Sequence, residues 1–206
     1  MTNILVYTDI LKKANTISDF VESSAIPNEI VLCDQGYVTN SCKAHELSPK
    51  RRVQVMDILR DNMKEMYVKA DWGWNEVEKR KEVFHKMSRI VTLSPVSNPL
   101  EVSAFVSFRF LWDDDDEPEY PVLYCYELQV HRNMQKKGAG LALMRMLQQI
   151  AMCTEMKKVS LTVFKSNAAA MAFYKKAGFI IDSSSPSQFG EMDECYEILS
   201  DRNITK

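Results

Sequence analysis

Six consecutive residues, Gln135-Lys136-Lys137-Gly138-Ala139-Gly140, make a turn suited to holding a phosphate. Glycines let a backbone pass close to a ligand with no Cβ in the way. A helix opening directly behind them offers free N–H groups and the positive end of its dipole, and two lysines add charge. The same turn also serves as a plain loop closure, and taken alone it leaves both readings open. It is neither the G-x-G-x-x-G of a dinucleotide fold nor a P-loop, which needs a final Gly, Lys and Ser/Thr. A second feature is the run 113–119, with six carboxylates in seven residues. Such a run is either a solvated hairpin loop or a landing site for a cationic substrate.

The elements that must position these groups can be read from periodicity. A strand at 121–130 precedes the turn, a helix at 141–154 follows it, and a strand at 158–164 comes next, which makes a βαβ unit. In the helix Leu143, Leu147, Ile150 and Ala151 form the stripe that faces a sheet. A further helix at 167–176 is capped by Gly178, followed by short strands at 179–181 and 195–199. Upstream, Ala104, Val106, Phe108 and Phe110 alternate with a mixed face in a strand at 102–112, and 89–93 reads as its neighbour. Ser48-Pro49 opens a helix whose apolar stripe runs through Val53, Met56, Leu59, Met63, Met66 and Tyr67. Residues 75–87 read as a charged helix, with Glu76–Arg80 and Glu82–Lys86 as pairs on a solvated face. An amphipathic helix lies between Ile10 and Val21, Asp34-Gln-Gly36 reads as a turn, and the first strand is placed within 36–47. The expected fold is α+β, with a mixed, mostly antiparallel sheet flanked by helices. Its domains are a helical extension over 1–35 packed on a catalytic domain over 36–206.

The totals bound the class. At 206 residues the chain fits one domain with a full core, and 46% apolar and 26% charged residues are ordinary for a soluble protein. A formal net charge of −2 argues against a protein coated in nucleic acid. Five cysteines, an odd number with no C-x-x-C pair, read as reduced thiols rather than a disulfide framework or zinc site, and no metal is expected. The first residues lack a signal-peptide pattern, and no apolar run reaches membrane-spanning length.

In this context Gln-x-x-Gly-x-Gly between strand and helix resembles the pyrophosphate-binding motif of the GNAT acyl-CoA acetyltransferases. The run Asn167-Ala-Ala-Ala-Met-Ala-Phe-Tyr-Lys-Lys-Ala-Gly-Phe179 is similar to that family's second signature, a helix ending in Gly-Phe. The resemblance implies the GNAT fold, with a central pair of parallel strands that splay, and acetyl-CoA as cofactor. It implies that Gln135, Lys136, Lys137, Gly138, Ala139 and Gly140 hold the pyrophosphate. It places Leu128, Gln129 and Val130 along the cofactor and Asn167 and Tyr174 near its thiol end.

Acetyl transfer to an amine needs a base for the amine and an acid for the departing thiolate. Glu127 is the candidate base and Tyr174 the candidate acid. A free α-amino group has a pKa of about 7.7–8.0, so a carboxylate acting through one water suffices. The alternatives are a strand carboxylate paired with a cation and a half-buried aromatic. Tyr126 helps hold that water only where the strand bulges, since strict alternation turns it to the other face. Cys125, with no histidine nearby to activate it, reads as core.

Several strings resemble one branch, the N-terminal acetyltransferase D family: Trp72-Gly-Trp74, Phe108-Arg-Phe110, Val122-Leu-Tyr-Cys-Tyr-Glu127, Leu161-Thr-Val-Phe-Lys165, Asp182-Ser-Ser-Ser-Pro-Ser187 and Cys195-Tyr-Glu-Ile-Leu199. That resemblance implies acetylation of the N-terminal serine of histone H4 and of the A-type histone H2, which begin Ser-Gly-Arg-Gly. It implies those histone peptides as partners, the ribosome as a further candidate, and a place in cytoplasm and nucleus; charge and hydropathy give the expectation of no direct contact with nucleic acid or membrane, and a monomer is expected. A small first residue suits a narrow pocket of Trp72, Trp74, Tyr124, Tyr126 and Tyr196, and the substrate arginine suits Asp113 and Asp114. Where that family has an acidic residue directly after the Phe-Arg-Phe strand, this chain has Leu111-Trp112. The competing readings are a GNAT enzyme acting on lysine or a small amine, and a non-catalytic acyl-CoA-binding or histone-binding module.

Overall fold

The computed structural model describes residues 2–114 and 119–203. Eight strands share one sheet: β1 (Glu29–Leu32), β2 (Gln35–Lys43), β3 (Arg89–Pro95), β4 (Ala104–Trp112), β5 (Pro121–Val130), β6 (Val159–Phe164), β7 (Ile180–Ile181) and β8 (Tyr196–Asp201). Their spatial order is β1-β2-β3-β4-β5-β6-β8-β7. Every pairing is antiparallel except β5 with β6, the two strands joined by a helical crossover. Among the described residues, five α-helices accompany the sheet: α1 (Thr2–Thr16), α2 (Pro49–Lys69), α3 (Glu76–Val83), α4 (Ala139–Cys153) and α5 (Ala168–Lys176).

Alternation along β4 explains the layers. Ala104, Val106, Phe108 and Phe110 join one apolar cluster with Ala14 of α1 and with Leu143, Leu147, Ile150 and Ala151 of α4. Phe105, pointing the other way, joins a second cluster with Val55, Met56, Ile58 and Leu59 of α2 and Val83 of α3. The "mixed" face of this strand is therefore a second core.

Three elements differ from the sequence expectation, each for a tertiary reason. Helix α1 stops at Thr16, because the fully buried Arg89 guanidinium donates to the Asn15 and Ile17 carbonyls at its C-terminus. The chain then turns so that Phe20 packs on Phe108 and Phe110, with ring centroids 5.7 and 5.9 Å apart. Helix α3 ends at Val83 rather than 87, its Glu82 carbonyl accepting from Arg109 at 2.7 Å. Its charges also pair otherwise than by i, i+4: Glu76 with Arg60 and Glu82 with Lys79. Strand β1 lies ahead of residue 36 and makes a hairpin with β2, its tip at Cys33 and Asp34.

Two irregularities shape the site. Strands β5 and β6 pair only from Leu123↔Val159 to Cys125↔Leu161, although each runs further, so they splay beyond that point. In the β4–β5 ladder Ser107 faces Glu127 while Phe108 faces Cys125, which leaves Tyr126 as the extra residue of a bulge.

Candidate active site

The splay opens a cavity of about 1110 Å³. One wall is the end of β5, with Leu128, Gln129 and Val130; the other is the first turns of α5, with Asn167, Ala170, Phe173 and Tyr174. Gln135, Lys136, Gly138 and Gly140 close one end, while Lys137 and Ala139 do not line it. Gly138, the residue before α4, has φ of 90°, a conformation that glycine adopts freely. The first turn of α4 has N–H groups with no carbonyl ahead of them, aimed where an anion is stabilised by the helix dipole. Arg145 and Lys176 also line this end and give it a positive character. A cleft with backbone donors and cations at one end and an apolar wall along its length fits a long ligand with a pyrophosphate.

The base candidate lies at the other end. Glu127 is only 5% exposed. Its Oε2 accepts from Gln129 Nε2 at 2.9 Å, and Gln129 Oε1 accepts from Asn62 Nδ2 at 3.0 Å, so an amide relay from α2 fixes the carboxylate. On the other oxygen Lys79 Nζ stands at 3.8 Å. Burial pushes the Glu127 carboxyl up to about 7, against the pull of Lys79 and the Gln129 amide. For Lys79, burial opposes the charge, but Glu127, Glu82 and Tyr67 outweigh it and raise its pKa. Tyr174, 8% exposed, has its phenol held well above the usual range by burial, then by Cys125 and Glu127. It keeps its proton at any working pH. Burial likewise raises the Cys125 thiol, which leaves it a poor nucleophile.

An aromatic rim surrounds Glu127. The bulge lets Tyr124 and Tyr126 both line the cavity, with rings 5.1 Å apart. Arg109 stacks over Tyr126 at 4.1 Å and holds it in place. The two tryptophans separate. Trp72 lines the cavity and meets Phe164 at 4.9 Å and Tyr196 at 5.4 Å. Trp74 packs on the second core and donates from Nε1 to Glu76 Oε2 at 3.1 Å, outside the cavity. Tyr196 reaches the rim only through Trp72. Asp113 and Asp114 do not line the cavity, and Asp113 Oδ1 accepts the N–H groups of Glu119 and Tyr120, each at 3.0 Å. Residues 115–118 of the acidic run lie outside the described residues.

Sequence reasoning missed Asn62, Tyr67, Lys79, Glu82, Phe164, Arg145 and Lys176 as lining residues. Tyr67 stood in an apolar helical stripe, and Lys79 and Glu82 in a charge run. Their spacing is that of ordinary helix faces, and only the docking of α2 and α3 on β5 gives them a role.

Residues 56–179 match the model of the acetyltransferase (GNAT) family. Among solved structures, the PaiA N-acetyltransferase of Thermoplasma acidophilum in complex with coenzyme A is 13% identical, with 80% of this chain and 98% of that one covered and a TM-score of 0.56. Ard1 from Thermoplasma volcanium is 18% identical over 79% of this chain and 96% of that one, with a TM-score of 0.53. A NatC complex bound to Gag peptide and CoA is 11% identical over 80% and 96%, with a TM-score of 0.57. At these identities the structures establish the fold.

Proposed function

The chain belongs to the GNAT acetyltransferase family, and on that premise we propose that it is an N-alpha-acetyltransferase acting on the N-terminal serine of chains that begin Ser-Gly-Arg-Gly, those of histone H4 and the A-type histone H2. Acetyl-CoA is the acyl donor and supplies an acetyl group already activated as a thioester.

The observation that carries this reading is the state of Glu127. Its carboxyl sits at about 7. An α-amine titrates about one unit higher, at roughly 7.7–8.0, whereas a lysine amine titrates at about 10.4. Burial thus raises Glu127 toward the range of a terminal amine, which is easier to deprotonate than a side-chain one. Its oxygen accepts the amine proton, directly or through one water held beside Tyr126. Tyr174 carries a phenolic proton at Oη for the departing thiolate. The turn 135–140 binds the pyrophosphate, and the backbone of Leu128 and Val130 orients the arm behind it.

Tyr67, Trp72, Tyr124 and Tyr126 line the same cavity as the carboxylate, and bulky aromatics of this kind suit a small first residue. The resemblance of the Trp-Gly-Trp, Tyr-Cys-Tyr-Glu and Ser-Pro-Ser strings to the N-terminal acetyltransferase D family supports serine as that residue. The substrate arginine meets a carboxylate, for which Glu82, a lining residue of the cavity, joins Asp113 and Asp114, which lie outside it, as candidates. Such substrates place the protein in cytoplasm and nucleus.

The test is mass spectrometry after incubation with acetyl-CoA. Ser-Gly-Arg-Gly-Lys gains one acetyl group, and the same peptide blocked at its N-terminus gains none. Acetylation of the blocked peptide moves the reading to a lysine acetyltransferase, and acetylation of Ser-Gly-Ala-Gly-Lys at an equal rate removes the arginine requirement.

A further inference from the structure

The hairpin of β1 and β2 lies ahead of the region that matches the family, yet its tip rests on the pyrophosphate turn. Three contacts join them. Tyr37, 2% exposed, shares its hydroxyl proton between Gln35 Oε1 and Met134 Sδ, both at 3.0 Å. Cys33 Sγ lies 3.8 Å from the Lys137 carbonyl. The Leu32 side chain lies against Gly138, where a Cβ would stand at van der Waals distance, 3.6 Å from Leu32 Cδ2.

The tip is also strained. Cys33 and Asp34 have φ of 47° and 62°, and Lys136 in the facing turn has 61°. Residues with a Cβ seldom take such angles, and they persist only where the surroundings over-determine them. A two-residue hairpin of this shape ordinarily carries Asn-Gly or Asp-Gly. Here neither residue is glycine; aspartate tolerates the left-handed region, cysteine does so seldom, and the contacts at Leu32, Cys33 and Tyr37 brace the tip. Leu32, Cys33 and Tyr37 do not line the cavity, so they act on a ligand only through the turn.

We infer that the β1–β2 hairpin is a strut for the pyrophosphate turn, with Leu32 and Tyr37 as positioning residues that set the affinity for CoA. A turn whose N–H groups must converge on an anion binds more tightly when it is ordered beforehand. Loosening the strut makes binding bear the cost of ordering the turn. The inference concerns the CoA end of the cleft and holds whatever amine is acetylated.

The experiment is calorimetric titration of the full chain with CoA, together with amide hydrogen exchange of the apo protein. Leu32→Ala is expected to weaken CoA binding about tenfold, equivalent to about 1.4 kcal/mol. Exchange accelerates in residues 135–141 and not in β8, and Leu32→Met, which keeps the volume, restores both. Tyr37→Phe, which removes only the hydroxyl, weakens binding by a smaller factor in the same direction. CoA affinity unchanged in Leu32→Ala overturns the inference. So does a loss that spreads to exchange throughout the sheet and is not restored by methionine, because that marks a general loss of stability.

Discussion

Lys79 Nζ stands 3.8 Å from Glu127 Oε1 and 2.8 Å from Glu82 Oε2, so one ammonium serves two carboxylates that line the cavity. It also lies 4.4 Å above the centre of the Tyr67 ring. Glu127 is thereby held between an amide on one oxygen and a cation near the other. Burial drives its pKa upward, and Lys79, with the Gln129 amide, keeps it from rising further.

That balance fixes a pH dependence. The base works only when ionised, so kcat/KM, referred to the neutral fraction of the substrate amine (pKa about 7.7–8.0), should rise with pH through a midpoint near 7, the value to which Glu127 is pushed. Removing the ammonium in Lys79→Met disfavours the carboxylate and moves the midpoint upward, so the loss of activity is greater at pH 6.5 than at pH 9. Lys79→Arg keeps a cation and should keep most of the wild-type profile. A pH–rate series for the three proteins checks this, and an unmoved midpoint in Lys79→Met sinks it.

Glu127→Gln should separate activity from stability. Loss of a general base costs about 10²- to 10⁴-fold in kcat. The folded carboxyl titrates near 7, above the unfolded value of about 4.3. A raised carboxyl binds more protons folded than unfolded, so it costs stability increasingly as pH rises from about 4 to 7, and fully above 7. Glutamine removes that cost. The variant should therefore be more stable than wild type at pH 8, by on the order of 2 kcal/mol, and show no such advantage at pH 4. Denaturant melts at both pH values decide it.

Tyr174→Phe removes the phenol and leaves the ring packed between Phe173 and Phe179, 5.0 and 5.8 Å away. The expected result is a fall in kcat of about 10- to 100-fold with little change in peptide KM. Because burial holds this phenol well above its ordinary range, the wild-type rate should not decline between pH 8 and pH 9.5. A decline there that vanishes in the phenylalanine variant would count against the assignment of Tyr174.

The parts legible in the sequence are those built from local signals. Gly138 and Gly140 between an apolar strand and an amphipathic helix mark the turn, and α4, β6 and α5 stand within a few residues of their expected limits. Tyr126 was tied to a bulge, and the bulge falls on it. What stayed hidden depends on partners far along the chain. Arg89 looked like the first residue of a strand but stops α1. Lys79 and Glu82 looked like a solvated helix face until α3 docked against β5. Asp34-Gln-Gly36 marked the turn but placed it one residue late, since the left-handed pair is Cys33-Asp34 and cysteine is not a residue type that signals such a conformation. Asp113 looked free to meet a cation, but its Oδ1 accepts from its own loop.

The two tryptophans should fail differently. Trp72 is 48% exposed and lines the cavity, so Trp72→Ala should raise peptide KM severalfold with a small change in melting temperature. Trp74 packs beneath Tyr67, 5.7 Å between rings, on the second core. Trp74→Ala should cost about 2–4 kcal/mol of stability, in the range of large core truncations at partly buried sites. Peptide KM and thermal melts measured on both variants give the comparison, and equal effects on KM refute it.

Far from the cavity, Lys158 and Asp182 make a buried ion pair that ties the start of β6 to the serine-rich loop. Lys158 Nζ lies 3.1 and 2.9 Å from the two Asp182 oxygens, and the Ser184 N–H and hydroxyl donate to Oδ1 at 3.0 and 2.7 Å. Burial opposes the charge on Asp182, but the Ser200 hydroxyl, the Ser184 donors and Lys158 together outweigh it and hold the carboxyl well below the usual range. A depressed carboxyl stabilises the fold above its unfolded pKa of about 3.9, and the contribution is lost as pH falls below that toward the folded value. Asp182→Asn should therefore cost about 3–5 kcal/mol at pH 7, because it strands a buried ammonium. The deficit should shrink on acidification below pH 4, where wild type loses the same contribution. Replacing both partners, Lys158→Met with Asp182→Leu, should recover much of the loss, since no charge is left buried alone. Denaturant unfolding of the single and double variants at pH 7 and at about pH 2, inside the window between the unfolded and folded values, measures each term. A double variant as unstable as Asp182→Asn would locate the cost in the loop's hydrogen bonds to Asp182 rather than in the ion pair.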